Sequence, residues 1–257
     1  MKVPWLIVLS KNSAKGNQKV AMNLILLPPQ TQDRLTLTDP LLLKHCHETL
    51  KPQIGDSLKV GIQHGKLGTA RVEQLDENSL TLSQITCDIL APTKLNLTVI
   101  LAMPRPKVLR RLIMDMTAMG VQKLILVNSY RSEKSYWQSP LLAKIDDYIV
   151  EGLQQGCDTV PMLIEQKKRL KPFVEDELPD IIQGKQAIIA HPYTENHFSQ
   201  VFKQDKDTVL MIGAEGGWID YEVALFKKIG VQSAHIGRRI LRTETVISVL
   251  CGGFLLG

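Results

Sequence analysis

The chain has 257 residues, of which 44% are hydrophobic and 22% are charged, so it is long and apolar enough to fold as one large domain or two smaller ones. No apolar run approaches the roughly 20 residues that a membrane-spanning helix needs, and the apolar stretch 3–9 lacks a cleavage pattern, which predicts a cytoplasmic protein. The excess of 31 Lys and Arg over 26 Asp and Glu is too small to indicate a nucleic-acid partner by itself.

Residues 1–22 show little pattern and predict a loosely held N-terminal extension. Residues 23–91 look different, because short alternating or apolar segments are separated by turn residues. The predicted strands are 23–27, 34–38, 57–62, 69–75 and 79–85, with one helix around 40–50. Short strands at even spacing predict a small β-barrel.

From residue 92 onward, strands and helices alternate. The predicted strands are 95–101, 123–127, 162–164, 187–190, 208–212 and 233–236, and the predicted helices are 107–119, 140–155, 173–182, 221–229 and 243–256. This alternation predicts an α/β fold with a parallel sheet covered on both faces. Ligands of such sheets bind beyond the carboxyl ends of the strands, which directs attention to the turns after Ala190, Ile212 and Ile236.

The four cysteines share no close spacing with one another or with paired histidines: Cys46, Cys87, Cys157 and Cys251. Zinc sites need clustered ligands, and disulfide frameworks are typical of small secreted proteins. We therefore predict free, buried thiols and no metal site.

A glycine-rich turn, Gly213-Ala-Glu-Gly-Gly217, follows the predicted strand 208–212. It matches neither the dinucleotide fingerprint nor the phosphate-binding P-loop. Its glycines would allow a ligand to approach the backbone closely, or would only permit a tight connection.

Three arginines crowd into the next segment, at Arg238, Arg239 and Arg242, where a strand ends and a helix begins. Thr243 is the predicted N-cap of that helix, and Glu244 suits its first turn. Arginines at the positive end of a helix indicate an anionic ligand or an acidic network that includes Glu244, whereas a capped helix with solvated charges is the simpler alternative.

Three segments together resemble the RsmE family of 16S ribosomal RNA uridine-N3 methyltransferases, in the SPOUT superfamily. They are the glycine-rich turn, the segment Ile236-Gly-Arg-Arg-Ile-Leu-Arg-Thr-Glu-Thr245 and the upstream pair His191-Pro192. The resemblance runs from about residue 23 to the C-terminus. It implies a PUA-like RNA-binding β-barrel over 23–91 and a trefoil-knot methyltransferase domain over 92–257. It also implies S-adenosylmethionine as the methyl donor and a homodimer as the active form. The expected partner is 16S ribosomal RNA or the 30S subunit, and neither a bound metal nor a membrane is expected.

The family's cofactor loops can be carried over by position. They correspond to Ala190, His191 and Pro192, to Ile212, Gly213, Glu215, Gly216 and Gly217, and to Ile236, Gly237, Ile240, Leu241, Arg242 and Thr245. Uracil N3 must lose a proton before it is methylated. Arg242 and Arg239 are the candidates to stabilise the charge that develops, and Glu215 or Glu244 to accept the proton, unless both acids simply bind the arginines.

Basic and aromatic residues provide candidates for RNA contact. The family's arginine-rich RNA-facing stretch of the barrel is reduced in this chain to Lys44, His45 and Lys51, which the resemblance makes candidates. Arg105, Lys107, Arg110 and Arg111 lie at the start of the helix 107–119, where they face RNA phosphates or form a solvated face. Tyr130 and the pair Tyr136-Trp137 lie among Arg131 and Lys134. They would stack on a flipped-out base or pack against a partner subunit.

The chain departs from the family pattern mainly on its substrate side. Ala214 and Arg238 replace prolines, Asp115-Met-Thr-Ala-Met-Gly120 lacks a Lys and Glu pair, and Leu153-Gln-Gln-Gly-Cys157 lacks a Glu and an Arg. Two alternatives follow. The enzyme would methylate another RNA position, such as a ribose 2′-hydroxyl or another base, or the chain would be a catalytically impaired ribosome-binding paralogue.

Overall fold

The computed structural model describes residues 23–256, and the predicted extension 1–22 lies outside them. The first sheet contains five strands: β1 (Ile25–Leu27), β2 (Leu35–Leu37), β3 (Ser57–Ile62), β4 (Leu67–Leu75) and β5 (Leu80–Ile89). Their order is β1-β3-β4-β5-β2, with β1 parallel to β3 and the other pairs antiparallel. Since β1 and β2 lie at opposite edges, the hydrogen-bonded ladder forms an open half-barrel.

Alternation along the strands builds the core of this half-barrel. In β4, Ala70 and Val72 are buried whereas Arg71 and Glu73 are exposed. Helix α1 (Pro40–His45) begins where the Asp39 carboxylate accepts the Leu41 and Leu42 N–H groups at 2.7 and 2.8 Å, and it continues as a π-helical turn, Cys46–Leu50. The predicted helix 40–50 is therefore confirmed as two consecutive helical pieces.

The second sheet is entirely parallel, as the alternation of elements predicted. Its strands are β6 (Leu95–Ala102), β7 (Val121–Val127), β8 (Leu163–Lys167), β9 (Gln186–Ala190), β10 (Thr208–Ile212) and β11 (Gln232–Ala234). The order is β11-β9-β10-β6-β7-β8, and every neighbouring pair is parallel. Because β9, β10 and β11 are neighbours, the turns that follow them meet at one edge.

Helices cover both faces of this sheet. They are α2 (Pro106–Ala118), α3 (Ile145–Gly156), α4 (Leu170–Pro172), α5 (Leu178–Ile182), α6 (Phe198–Val201), α7 (Asp220–Lys228) and α8 (Thr243–Leu255). Buried residues of α2, α3 and α8 form one core with the sheet, and those of α7 and the segment 173–178 form another. Two-sided burial explains why β10 is buried along its whole length and reads as an unbroken apolar run.

Several predicted bounds were wrong for identifiable reasons. The predicted helix 140–155 is a 3₁₀ turn, Pro140–Lys144, followed by α3. The predicted strand 162–164 is β8, which lies at an edge of the sheet where polar residues are tolerated and its pattern is obscured. The predicted strand 233–236 ends at Ala234, because His235 leaves the ladder to form an isolated bridge with His197.

The two sheets are joined through the connection between α3 and β8. The Thr159 hydroxyl donates to the Gly65 carbonyl at 2.6 Å, and the His64 N–H donates to the Thr159 carbonyl at 2.8 Å. Beside them, Lys94 forms an ion pair of 2.6 Å with Asp158, whose side chain is only 4% exposed. The first sheet is thereby fixed to the second by buried polar contacts.

Among residues 23–256, no helix is long and apolar enough to cross a membrane. The cysteines are free, as predicted, but only Cys46 and Cys251 are fully buried, whereas Cys87 and Cys157 are half-buried.

Candidate functional site

The turns after β9, β10 and β11 enclose one cleft of about 900 Å³, including its open mouth. Most of the residues predicted to bind the cofactor line it: Ala190, His191, Pro192, Ile212, Gly213, Glu215, Gly216, Gly217, Ile236, Gly237, Ile240 and Leu241. Arg242 and Thr245, which were predicted with them, do not line the cleft that the described residues form. Ala214 and Thr243, which lie inside the predicted cofactor loops 212–217 and 236–245, also line it. Lining residues that sequence reasoning did not assign to it are Arg131, Tyr193, Trp218, Ala234, His235 and Val246.

The glycine-rich turn after β10 folds back tightly on itself. The Gly217 N–H donates to the Ala214 carbonyl at 2.9 Å, and Gly217 has a φ of +67°, in the left-handed region that favours glycine. A Cβ on Gly213 would lie 2.8 Å from the Gly217 Cα, so a side chain has no room there. Both glycines are thus required by the backbone path of the turn, which lines the cleft.

Thr243 connects this turn to α8. It was predicted to cap the helix, but the N-cap residue is Arg242, whose side chain makes no capping hydrogen bond. Thr243 is the first helical residue, is 5% exposed, and donates its hydroxyl to the Gly213 carbonyl at 3.2 Å. The correction has a physical reason: the hydroxyl satisfies a carbonyl of a distant loop, which no local cap pattern reveals.

The loop after β11 is held by two histidines. The Gly237 N–H donates to His235 Nδ1 at 3.0 Å, and Gly237 has a φ of +120°. The His235 ring stands edge-on to the His197 ring, with 5.2 Å between centroids.

His191 follows β9 on the opposite wall. Its N–H donates to the Ala234 carbonyl at 3.0 Å, and its ring contacts Tyr193 edge-on at 5.6 Å. Burial lowers the pKa of His191, and the nearby Asp220 carboxylate opposes that shift only in part. The cleft therefore contains a neutral imidazole at physiological pH.

Two further loops reach the glycine-rich turn from β6 and β7. The Arg105 N–H, before α2, donates to Glu215 Oε1 at 3.1 Å. The Arg131 guanidinium donates to the Gly216 carbonyl, and its side chain lies against that glycine. The rule that ligand-binding loops follow the carboxyl ends of strands would have found Arg131, had it been applied to β7 as well.

The four candidate catalytic residues have different surroundings. Glu215 and Arg239 both line the cleft with exposed side chains, and Arg239 has no ion-pair partner within the described residues. Arg242 is exposed at the start of α8, outside the cleft wall. Glu244 was expected to join the arginine cluster, but it pairs instead with Arg111 of α2 at 3.1 Å. The packing of α2 against α8 supplies this partner, which is 133 positions away in sequence.

The predicted RNA-contacting group on α2 is partly engaged inside the protein. Arg110 pairs with Glu151 at 3.1 Å and lies 5.3 Å above the Tyr148 ring, and Arg111 holds Glu244. Arg105 and Lys107 are exposed and form no ion pair with any residue from 23 to 256.

The second predicted RNA-contacting group lies on the half-barrel. Lys44 and His45 end α1, and the exposed Lys51 follows the π-helical turn with a φ of +47°. Lys44 is 4.0 Å from Glu48, one turn away. The three residues of this group therefore lie together on the helical segment 40–51, which packs on the first sheet.

In the part of the chain that the structure describes, no group of three or more His, Cys, Asp or Glu side chains could hold a metal ion. The cleft is lined instead by apolar residues, by the glycines of the turn and by the charged residues Arg131, Glu215 and Arg239. One buried polar atom of its lining, Trp218 Nε1, has no hydrogen-bond partner among the described residues.

The chain is similar to known proteins along most of its length. It is 29% identical over 212 residues to the ribosomal RNA small subunit methyltransferase E of Treponema pallidum, which covers 80% of this chain and 79% of that protein. A second relative, the ribosomal RNA small subunit methyltransferase E 1 of Borreliella burgdorferi, is 28% identical over 151 residues, or 58% of this chain and 62% of the relative.

Solved structures share the fold. A structure from Legionella pneumophila with bound S-adenosylmethionine matches with a TM-score of 0.73 and 20% identity, over 91% of this chain and 97% of that one. The ribosomal RNA small subunit methyltransferase E of Neisseria gonorrhoeae, also bound to S-adenosylmethionine, matches with a TM-score of 0.70 and 20% identity over the same shares. The family model described as RNA methyltransferase domain matches residues 91–254. Since this match spans more than half of the chain and contains the whole cleft, the protein belongs to the RNA methyltransferase domain family.

Proposed function

We propose that the protein transfers a methyl group from S-adenosylmethionine to N3 of a uridine in 16S ribosomal RNA. The observation that carries the proposal is the single cleft in which the glycine-rich turn meets the loops after β9 and β11. Ligands of open parallel sheets bind at this edge. The names of the relatives from T. pallidum and B. burgdorferi, both small-subunit ribosomal RNA methyltransferases, support the substrate.

The residues present fit the proposed cofactor. Ligand sites are lined mainly by apolar groups with a few polar ones, and the lining of this cleft has the same character. Ile212, Ile236, Ile240 and Leu241 would contact apolar parts of S-adenosylmethionine, while main-chain groups of the glycine-rich turn would bind its polar parts. The solved structures from L. pneumophila and N. gonorrhoeae, which share this fold and contain this cofactor, support the same assignment.

When bound, S-adenosylmethionine supplies an electrophilic methyl group. The chain's own residues must hold uracil N3 in line with it and accept the N3 proton. Glu215 is the proposed acceptor, because its carboxylate is exposed in the cleft and is held by the Arg105 N–H. Arg239 would stabilise negative charge on a flanking uracil oxygen, since it lines the same cleft without a carboxylate partner in residues 23–256.

Arg242 and Glu244 are secondary candidates for these two roles. Neither lines the cleft, and Glu244 already neutralises Arg111. We propose that they set the local charge around the first turn of α8, where the Thr243 hydroxyl donates a hydrogen bond to the Gly213 carbonyl.

We also propose the finer organisation that the family resemblance implies. Residues 1–22 would be an extension, residues 23–91 a PUA-like RNA-binding barrel that uses Lys44, His45 and Lys51, and residues 92–257 a trefoil-knot catalytic domain. Arg105 and Lys107 would extend the RNA surface from the half-barrel side toward the cleft.

We further propose that the protein acts as a homodimer and that it does so in the cytoplasm. The side chains of Val249 in the middle of α8, Leu255 at its last residue and Leu256 just beyond it are 50%, 52% and 90% exposed. Apolar side chains clustered on one element favour a subunit contact. Sedimentation of the wild type and of Val249→Asp would test it, and a wild-type monomer would contradict it.

The decisive experiment is mass spectrometry of nucleosides from 16S ribosomal RNA of cells with and without the gene. We expect 3-methyluridine to disappear with the gene and to return with the wild-type copy. A lost 2′-O-methyl nucleoside, or another lost base, would instead support a different RNA position. Calorimetric binding of S-adenosylmethionine without any transfer to small subunits would support the catalytically impaired paralogue.

Matched arginine variants test the catalytic assignment. Arg239→Ala should lower single-turnover transfer by about 100-fold, the usual effect of removing one donor to a developing anion. Arg238→Ala is the control, because this neighbouring arginine is exposed and does not line the cleft formed by the described residues. Equal activity of both variants would contradict the role of Arg239.

A further inference from the structure

Tyr130 is an exposed aromatic residue next to the cleft. Its side chain is 80% exposed. The other two aromatic candidates of this segment are occupied: Tyr136 and Trp137 pack against the core, and Trp137 Nε1 donates to Asn128 Oδ1 at 3.0 Å. Tyr136 and Trp137 are half-buried, so Tyr130 is the most exposed of the three.

The turn that carries Tyr130 is held rigidly. The Ser129 and Ser132 hydroxyls are 2.9 Å apart, and Ser132 donates onward to the Met103 carbonyl at 2.8 Å. The Tyr130 N–H donates to Oε1 of Glu222 at 2.8 Å, and Glu222 is only 3% exposed. A fixed backbone that displays an exposed ring loses little conformational entropy when that ring is covered by a ligand.

Arg131 turns the same segment toward the cleft. Its guanidinium donates to the Gly216 carbonyl, and a Cβ on Gly216 would lie 2.9 Å from the Arg131 Cδ. A guanidinium has five N–H donors, so several remain after this contact. From Asn23 to Leu256 no carboxylate forms an ion pair with it, and its positive charge stays available at the cleft wall.

An aromatic ring beside an unpaired arginine is the combination that single-stranded RNA sites use. Bases stack on the ring, and the arginine contacts a phosphate. We propose that Tyr130 and Arg131 form a substrate-positioning wall, in which Tyr130 stacks on an unpaired base of the RNA and Arg131 holds an adjacent phosphate beside the glycine-rich turn. This inference rests on the proposed function, since it takes RNA as the substrate of the same cleft.

The test of Tyr130 compares Tyr130→Phe, Tyr130→Leu and Tyr130→Ala. The measurements are KM and kcat for methyl transfer to unmodified small subunits, and Kd for a labelled transcript of 16S ribosomal RNA. Tyr130→Phe keeps the ring, so its KM and its Kd for RNA should stay within twofold of the wild-type values. Leu and Ala should raise KM and Kd by about 5- to 100-fold, the usual effect of losing one stacked base, with kcat and the cofactor Kd unchanged.

The test of Arg131 is the salt dependence of RNA binding. Arg131→Ala should reduce the slope of log Kd against log salt by about 0.7, the value for one phosphate contact on a single strand. Arg131→Lys keeps the charge and should restore that slope. A residue that only supported the glycine-rich turn would change the cofactor Kd and leave the slope unaltered, which would overturn its proposed role.

Leu163→Ala is the matched control. Leu163 is 63% exposed at the first residue of β8, at the opposite edge of the parallel sheet from the cleft, and its loss should alter none of these values. Wild-type RNA affinity in Tyr130→Leu would overturn the inference, and so would a dimer that dissociates on Tyr130→Ala while RNA affinity stays unchanged. If the wild type binds RNA through Tyr130 but transfers no methyl group, the proposed function fails and the inference stands.

Discussion

Gly213→Ala is the sharpest test of the glycine-rich turn. The added Cβ would lie 2.8 Å from the Gly217 Cα, 3.0 Å from the Gly217 carbonyl carbon and 3.1 Å from the Trp218 nitrogen. All three are backbone atoms of the same turn, so no change of side-chain rotamer relieves the contact and the turn must open. Forcing an extra carbon into a packed site costs about 1–3 kcal/mol.

Most of that free-energy cost should be measured as weaker cofactor binding. Opening the turn also displaces the Gly213 carbonyl that accepts the Thr243 hydroxyl, so the cleft loses its shape while the sheet beneath it is unchanged. We expect calorimetric titration to give an S-adenosylmethionine Kd weakened by about 5- to 150-fold, which is the same free energy expressed as affinity. The free energy of unfolding in urea should fall by at most the same cost of about 1–3 kcal/mol, because opening the turn relieves part of the contact before the cofactor binds.

Two other glycines separate the possible causes. Gly217→Ala adds a Cβ that meets no atom within 4 Å but must adopt a φ of +67°, so its cost is the backbone strain of about 1–2 kcal/mol. Gly252→Ala, inside α8, also meets no atom within 4 Å and should stabilise the protein by about 0.5–1 kcal/mol with normal cofactor binding. If Gly213→Ala binds the cofactor as Gly252→Ala does, the turn is only a connection and the reasoning is refuted.

Three further predictions concern buried groups. The two carboxylate oxygens of Glu222 accept the Tyr130 and Ile219 N–H groups at 2.8 and 3.0 Å, and Glu222→Gln replaces one of them. The free energy of unfolding in urea should therefore fall by about 1–3 kcal/mol. An unchanged unfolding midpoint would contradict the buried contacts. Burial lowers the pKa of His191 below its ordinary 6.5, so the unfolded chain binds a proton that the folded chain does not, and stability should fall as the pH drops through the range just below 6.5. His191→Gln should flatten that fall, and equal slopes in both proteins would count against the shift. Burial raises the pKa of Cys251 to about 12, so mass spectrometry at about pH 8 should find Cys251 alkylated only after unfolding, and rapid labelling of the native protein would be inconsistent with this environment.

Sequence patterns predicted the kinds of elements and the location of the cleft because those properties are local. Continuous apolar runs such as β10 identify strands that are buried on both faces. Alternation with helices makes the sheet parallel, and parallel strands place their following turns at one edge. The glycine-rich turn and the segment from Ile236 to Thr245 also carried the family resemblance, and the backbone path requires glycine at Gly213 and Gly217.

Partners between distant segments could not be predicted in the same way. Periodicity shows that a residue faces the core or the solvent, but it does not show which element packs against it. The pairing of Glu244 with Arg111 depends on the approach of α2 to α8, and the bond from Thr243 to Gly213 depends on the return of α8 to the end of β10. The amino-acid sequence by itself therefore determined the parallel sheet and its ligand-binding edge. Only the tertiary structure decided which charges remain free at that edge, because free charge depends on which carboxylates the packing brings within reach.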